Sequence, residues 1–449
     1  MDGHRRILGG RRDLLAPAVA FAQRYPGLLQ SVVRGTPQAR YDILFMAGRE
    51  SLAVHGDGVV RDQDGRVHEG RFLDVLDGQW LAARTARDEI STLPFHGGWL
   101  LFLSYELVGQ IEPRLRLRAP EPLPLACALR CPAAAIVDHA AGHTVLVAES
   151  GCEHLLDQLE ADLARVDTLP PLAAPAALLE DSPERFLDGV ERIHEHLRAG
   201  DIFQVNLSRA WHAGFAEAPS PVALYDALRR ANPAPFAGLL QQPGWAIASS
   251  SPERLVESRG GMAQTRPIAG TRPRVAGDDE LARIRELSAH PKERAEHVML
   301  IDLERNDLGR VCVPGTVEVD ELMVVESYAH VHHIVSNVRG RLRPEVTPGQ
   351  LIAATFPGGT ITGCPKVRCM EIIAALEDAP RGAYTGALGY LDRNGDMDLN
   401  ILIRTLTQMG ASVSLRAGAG IVADSVAANE LDETRAKARG LLRALGAAG

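Results

Sequence analysis

The chain has 449 residues, 46% of them hydrophobic and 23% charged, with a formal charge of −9, the composition of a globular protein with a sizeable core. No apolar run approaches the ~18 residues of a membrane span, and residues 1–12 lead into no apolar signal core, so neither membrane insertion nor export is expected and the cytoplasm is the default compartment. An acidic chain without a local basic run argues against nucleic acid as a partner, while a small anion in a locally positive pocket stays compatible with it.

In chain order, the first half reads as β-rich, with strand patterns at 41–45 and 144–148. Residues 168–177, rich in Pro and Ala, mark a connection between an N-terminal region, 1–170, and a second region, 182–446. There Ser182 is the expected N-cap of a helix with Pro183 at its first position, Phe186, Val190, Ile193 and Leu197 on one face, and Gly200 at its end. A strand follows at 203–208 and another ends near Ala248. A helix over 291–308 carries Glu293 and Glu296, Pro365 opens a helix ending near Asp378, and a last helix covers 429–445. Strand patterns at 387–391 and 402–408 are linked by short Gly-containing turns, which favours antiparallel pairing over βαβ winding. Neither GxGxxG at a strand–helix junction nor GxxxxGK[ST] occurs, which argues against a dinucleotide or P-loop enzyme. The six cysteines form no CxxC pair and no zinc spacing, and read as reduced structural thiols.

Several residues offer chemistry. Glu430, Glu433 and Lys437 share one stripe of the last helix; alone, this is a solvated face with an i,i+4 pair worth ~0.3–0.5 kcal/mol. Carboxylates on two helices can also converge on a hard cation such as Mg²⁺. Ser-Pro-Glu-Arg occurs twice: at 182–185 it is explained by capping, but at 251–254 it follows a strand, where Glu253 has no capping role. A carboxyl facing a desolvated pocket there would hold its proton near neutrality. Gly-rich turns at 269–271, 357–363 and 417–420 allow close backbone approach to an anion, although each alone reads as a structural turn.

Taken together, Gly200-Asp201-Ile202-Phe203-Gln204-Val205, Ser251-Pro252-Glu253, Arg266-Pro267-Ile268-Ala269-Gly270-Thr271 and Ala295-Glu296-His297 resemble the chorismate-utilising enzymes. So do Asp302-Leu303-Glu304-Arg305-Asn306-Asp307, Gly363-Cys364-Pro365-Lys366-Val367-Arg368 and Gly418-Ala419-Gly420-Ile421-Val422-Ala423-Asp424-Ser425. These motifs run in the family's order from about Ser182 to the C-terminus. The resemblance implies an α+β fold in which two large, mostly antiparallel sheets pack as a sandwich with surrounding helices. Residues 182–446 would be the chorismate-binding catalytic region. Residues 1–170 would interleave with it and carry amidotransferase contacts or an effector region.

The resemblance also implies roles. Glu253 is the general acid for departure of the 4-hydroxyl, and His333, Thr360 and Lys437 line the same cavity with it. Glu296 and Glu433 are the Mg²⁺ ligands, with Glu293 and Glu430 acting through waters. Tyr384, Arg404 and the Gly420 amide clamp the enolpyruvyl carboxylate, beside Gly270 and Thr271. Isochorismate- and salicylate-forming members place a lysine base where this chain has Gln204, so ammonia rather than water is the expected nucleophile. Ala269 stands where aminodeoxychorismate synthases commonly carry a nucleophilic lysine and is the residue expected of anthranilate synthase. Asn206, Ala234-Pro235-Phe236, His332, Gly359, Arg40-Tyr41-Asp42-Ile43 and Pro94-Phe95-His96-Gly97-Gly98 resemble aminodeoxychorismate synthase component I instead. The expectation is therefore the lysine-less subclass, which uses ammonia twice and is served by a glutamine amidotransferase subunit. Anthranilate synthase component I is the alternative, and a non-catalytic chorismate sensor the remote one.

Overall fold

The computed structural model describes residues 3–33, 40–165, 168–273, 291–327 and 331–447, with backbone alone at residue 3 and at 269–273, 291–293, 327 and 331–333. Two 12-stranded sheets dominate, and every pairing between described strands is antiparallel. The first sheet joins the halves of the chain where Gly27–Gln30 pairs with Phe236–Gln242. In the second sheet, Gly98–Leu103 pairs with Ala387–Asp392.

Both sheets alternate in side-chain direction, so each has two apolar faces to cover. The inner faces meet in a core containing Phe45, Ile136 and Ile247 from the first sheet and Phe102, Leu388 and Tyr390 from the second. Phe95 packs edge-on against Phe45, with ring centroids 5.0 Å apart, and against Tyr390 at 5.8 Å. The outer faces are covered by helices: Val222, Leu228 and Leu441 pack on the first sheet, and Phe186, Ile301, Ile352 and Ile373 belong to a cluster that takes in strands of both, with Val205 and Leu207 from the first sheet and Leu399 and Ile401 from the second. This is the sandwich with surrounding helices that the sequence implied.

Four helices and three strands position the site. The helices are α1 (Pro183–Arg198), α2 (Pro291–Gly309), α3 (Lys366–Leu376) and α4 (Ala427–Ala444). The strands are β1 (Gln204–Gly214), β2 (Trp245–Ser251) and β3 (Ser412–Ile421). Three local expectations are corrected. Ser182 precedes α1 but accepts no capping bond; its hydroxyl donates to Glu184 Oε2 at 2.5 Å. Pro365 is the cap of α3 rather than its first residue, and that helix ends at Leu376. The strand expected over 402–408 is Thr405–Met409, because Leu402, Ile403 and Arg404 carry the chain between the sheets. No helix among the described residues is long and apolar enough to cross a membrane.

Candidate active site

The site forms where strands change sheets. Strand β2 lies in the first sheet and Arg254–Arg259 in the second, so Pro252 and Glu253 make the corner between them. A second crossing runs alongside: Met397–Ile401 belongs to the second sheet and Thr405–Met409 to the first. The crossings are tied by Ile401 N–H donating to Glu253 O at 3.0 Å and Ser250 N–H donating to Arg404 O at 3.1 Å. Arg404 holds φ +53, a conformation that a bulky side chain adopts only where its surroundings enforce it. A carboxyl-bearing and a guanidinium-bearing residue are thus tied by backbone hydrogen bonds at neighbouring crossings.

Glu253 is 6% exposed, and Thr360 Oγ1 donates to its Oε1 at 2.6 Å. Burial pushes this carboxyl up to about 7, against the pull of the Thr360 hydroxyl and the Lys437 ammonium. A carboxyl in that range is protonated in about half of the molecules at neutrality and can give that proton away. Thr360 reaches it from the short helical turn Gly359–Ile361.

Strand β1 supplies the facing wall. Gln204 Nε2 donates to Glu296 Oε1 at 2.8 Å, which joins β1 to α2. Asn206 pairs with Gly420 and Ser208 with Gly418 across the ladder to β3. A Cβ on Gly420 would stand 2.3 Å from Gln204 Nε2, and one on Gly418 would stand 2.7 Å from the Tyr384 hydroxyl. Only glycine leaves both side chains where they are. The Tyr384 hydroxyl donates to Asn206 Oδ1 at 3.4 Å. Arg404 interacts electrostatically with Tyr384 and Glu433. Helix α4 closes this wall, with Lys437 Nζ 2.6 Å from Glu433 Oε1 and donating to Gly418 O at 2.9 Å.

The structure therefore gathers Glu253 with Thr360, Gln204 with Glu296 and Gly420, Tyr384 with Gly418, and Lys437 with Glu433. Glu430 stands one turn before Glu433 on α4. The side chains of Glu293, Ala269, Gly270, Thr271 and His333 lie outside the described residues; their backbones place Thr271 opposite His333 on paired strands. Glu296, Glu430 and Glu433 offer only hard oxygen donors, which suits Mg²⁺. No group of three or more His, Cys, Asp or Glu positioned for a metal occurs among the described residues. Mg²⁺ commonly takes one or two carboxylates and completes its shell with water and substrate, so the donor set fits. The Lys437 ammonium is seated between the Glu433 carboxylate and the Gly418 carbonyl, so the Glu433 charge is balanced by Lys437 in this structure.

Sequence reasoning missed the support behind the wall. Arg381 is 4% exposed and donates to Glu377 Oε1 at 2.7 Å, to Asn206 O at 2.7 Å and to Ile361 O at 3.1 Å. Its guanidinium also lies over the rings of Tyr105 and Tyr384, 4.9 and 5.5 Å from their centroids. One side chain thus connects β1, the turn that bears Thr360, and Tyr384. The only signal was its place in Pro380-Arg381-Gly382, which reads as a surface turn.

Comparison with known proteins agrees with this arrangement. The model of the chorismate binding enzyme family matches residues 38–443. The chain is 45% identical, over 361 residues, to the anthranilate synthase component I-like protein of Synechocystis sp., covering 79% of this chain and 73% of that one. It is 40% identical over 450 residues to aminodeoxychorismate synthase component 1 of Bacillus subtilis (strain 168), covering 95% and 94% of the two chains. The crystal structure of anthranilate synthase component I from Streptococcus pneumoniae TIGR4 superposes with a TM-score of 0.81 at 32% identity, covering 97% of this chain and 99% of that one.

Proposed function

The chain belongs to the chorismate binding enzymes, and from that premise we propose that it converts chorismate to 4-amino-4-deoxychorismate, the precursor of para-aminobenzoate in folate synthesis. The observation that carries this reading is the buried Glu253 carboxyl, held by Thr360 and pushed up to about 7 by burial. Hydroxide is a poor leaving group, and an acid aimed at it serves a reaction that expels the 4-hydroxyl.

Glu253 gives its proton to the departing hydroxyl, which leaves as water, while ammonia bonds C2. Gln204 supports ammonia as the nucleophile, because a carboxamide cannot take a proton from water, and ammonia attacks without a base. Arg404, Tyr384 and the Gly420 amide hold the enolpyruvyl carboxylate, with Gly270, Thr271 and His333 along the same cavity. Glu296 and Glu433, with Glu293 and Glu430 through waters, would hold Mg²⁺, which would neutralise the ring carboxylate and orient the ring. Ala269 offers no nucleophile, so the first amination yields free 2-amino-2-deoxyisochorismate. A second ammonia then bonds C4 and the C2 amine departs as ammonia. A glutamine amidotransferase subunit is the proposed ammonia source.

Gly359, like Asn206 and His332, supports the choice of product only through its resemblance to aminodeoxychorismate synthase. A Cβ there would stand 2.3 Å from Leu303 Cδ2, so the glycine allows α2 to approach the Thr360 turn closely. The second reading is anthranilate synthase component I, favoured by Ala269, in which pyruvate leaves after amination at C2. Incubation with chorismate, Mg²⁺ and ammonium separates them: aminodeoxychorismate without pyruvate supports the first, and fluorescent anthranilate with one pyruvate each supports the second.

A further inference from the structure

Helix α2 turns Glu296 toward Gln204 on β1 and, one residue later, buries a histidine against the second sheet. His297 is fully buried and opens the stripe of α2 that continues inward through Leu300, Ile301, Glu304 and Leu308. An apolar side chain is the ordinary occupant of such a position. The Nδ1 of His297 meets no hydrogen-bond partner among the described residues, so the ring carries a cost that a leucine would not.

The other ring nitrogen is engaged: Nε2 lies 2.7 Å from Ser336 Oγ. Ser336 is also fully buried, in the strand Val331–Arg341. Beside it the pairing with Glu318–Ser327 slips, because Glu321 is opposite Asn337 and Val324 opposite Val335. Leu322 and Met323 therefore form a bulge that faces Ser336 alone. Met323 holds φ +51, and its N–H donates to Ser336 Oγ at 2.9 Å. Toward the neighbouring strand, Ser336 N–H donates to Pro267 O at 3.3 Å, two residues before Ala269. One serine thus ties together α2, a bulge and the segment that leads to Ala269.

We propose that His297 is a positioning residue: through Ser336 it fixes the roll of α2 and so holds the Glu296 carboxylate where it meets Gln204 and the cation of the proposed reaction. This rests on Glu296 being a ligand of that cation. The apolar contacts of the stripe have no direction and let a helix roll by small angles, whereas a 2.7 Å hydrogen bond resists it. A carboxylate carried ~5–6 Å from the helix axis moves by about 1 Å for each ~10° of roll. Mg²⁺, which demands near-ideal octahedral geometry, is sensitive to such a shift. The bond to Pro267 places the backbone before Ala269 from the same serine, so the two walls of the site share one reference point.

The test compares His297→Leu, which keeps apolar packing but loses the bond, with His297→Gln, whose carboxamide can reach Ser336 as Nε2 does. Mn²⁺, a paramagnetic stand-in for Mg²⁺, is titrated by electron paramagnetic resonance with chorismate present and ammonium left out, so the measurement needs no turnover. His297→Leu is expected to weaken Mn²⁺ binding by ~10–100-fold, the scale of losing a group that orients a metal ligand. The melting temperature and kcat at saturating Mg²⁺ are expected to hold, and His297→Gln to bind like the unchanged chain. Ser336→Ala, which removes one oxygen and carries the comparison should His297→Leu fail to fold, is expected to reproduce the loss. The double variant His297→Leu/Ser336→Ala should then bind no more weakly than either single one. Unchanged Mn²⁺ binding in His297→Leu, equal weakening in His297→Leu and His297→Gln, or losses that add in the double variant would overturn the proposal. Glu296→Gln run beside them separates the two readings: if it binds Mn²⁺ as the unchanged chain does, the ligand assignment fails instead.

Discussion

The Thr360 hydroxyl donates to Glu253 Oε1 at 2.6 Å, and through this contact a Gly-rich turn governs the proton of a buried acid. Because Glu253 acts protonated, its contribution is present below about 7 and lost as pH rises through that value. A hydroxyl donor favours the charged carboxylate, so Thr360→Val should raise this carboxyl further. The expected result is an alkaline limb of kcat displaced to higher pH, measured at constant free ammonia. A limb that stayed in place, or moved down, would separate Thr360 from the acid.

Glu253→Gln should lower kcat by ~10²–10⁴-fold while KM for chorismate changes little. Steady-state kinetics with ammonium check this. Weak binding with normal turnover would make Glu253 a binding residue.

Glu433→Gln should abolish turnover without unfolding the chain. Its ion pair with Lys437 is half exposed and worth little to the fold, whereas a Mg²⁺ ligand is one of few charged groups in its shell. Thermal melting and a Mg²⁺ titration of activity read the two effects apart. Unchanged activity at limiting Mg²⁺ would remove Glu433 from the metal.

Arg381→Met should destabilise the chain by ~3–5 kcal/mol, because it leaves Glu377 buried beside Arg416 without its main partner. Denaturant unfolding measures the loss. The Arg381→Met/Glu377→Leu double variant should recover part of it, and a double variant no more stable than the single one would contradict the pairing.

The elements that bear the site were legible because their signals are local. Pro183 with its apolar stripe, the Glu430–Glu433–Lys437 spacing and the glycines at 418 and 420 each carry their meaning within a few residues. The motifs around Glu253, Glu296 and Gly420 gave the family for the same reason. The crossings between sheets were not legible, since nothing in Leu402-Ile403-Arg404 distinguishes a strand from a chain leaving one sheet for another. Arg381 was hidden for a related reason: its partners Asn206, Ile361 and Tyr105 are distant in sequence, and a charged residue after proline looks solvated. Glu304 looked like one more helical glutamate until its stripe proved to face inward.

The pairing of Gly27–Gln30 with Phe236–Gln242, and of Gly98–Leu103 with Ala387–Asp392, also bears on how the molecule is made. A ribosome releases the early strands long before their neighbours exist, so two open sheet edges must wait for late segments of the same polypeptide. Such non-local closure slows folding and leaves unpaired backbone available to other chains meanwhile. Recovery of active protein should therefore depend on synthesis rate and chaperone supply more than the stability of the finished sandwich would suggest.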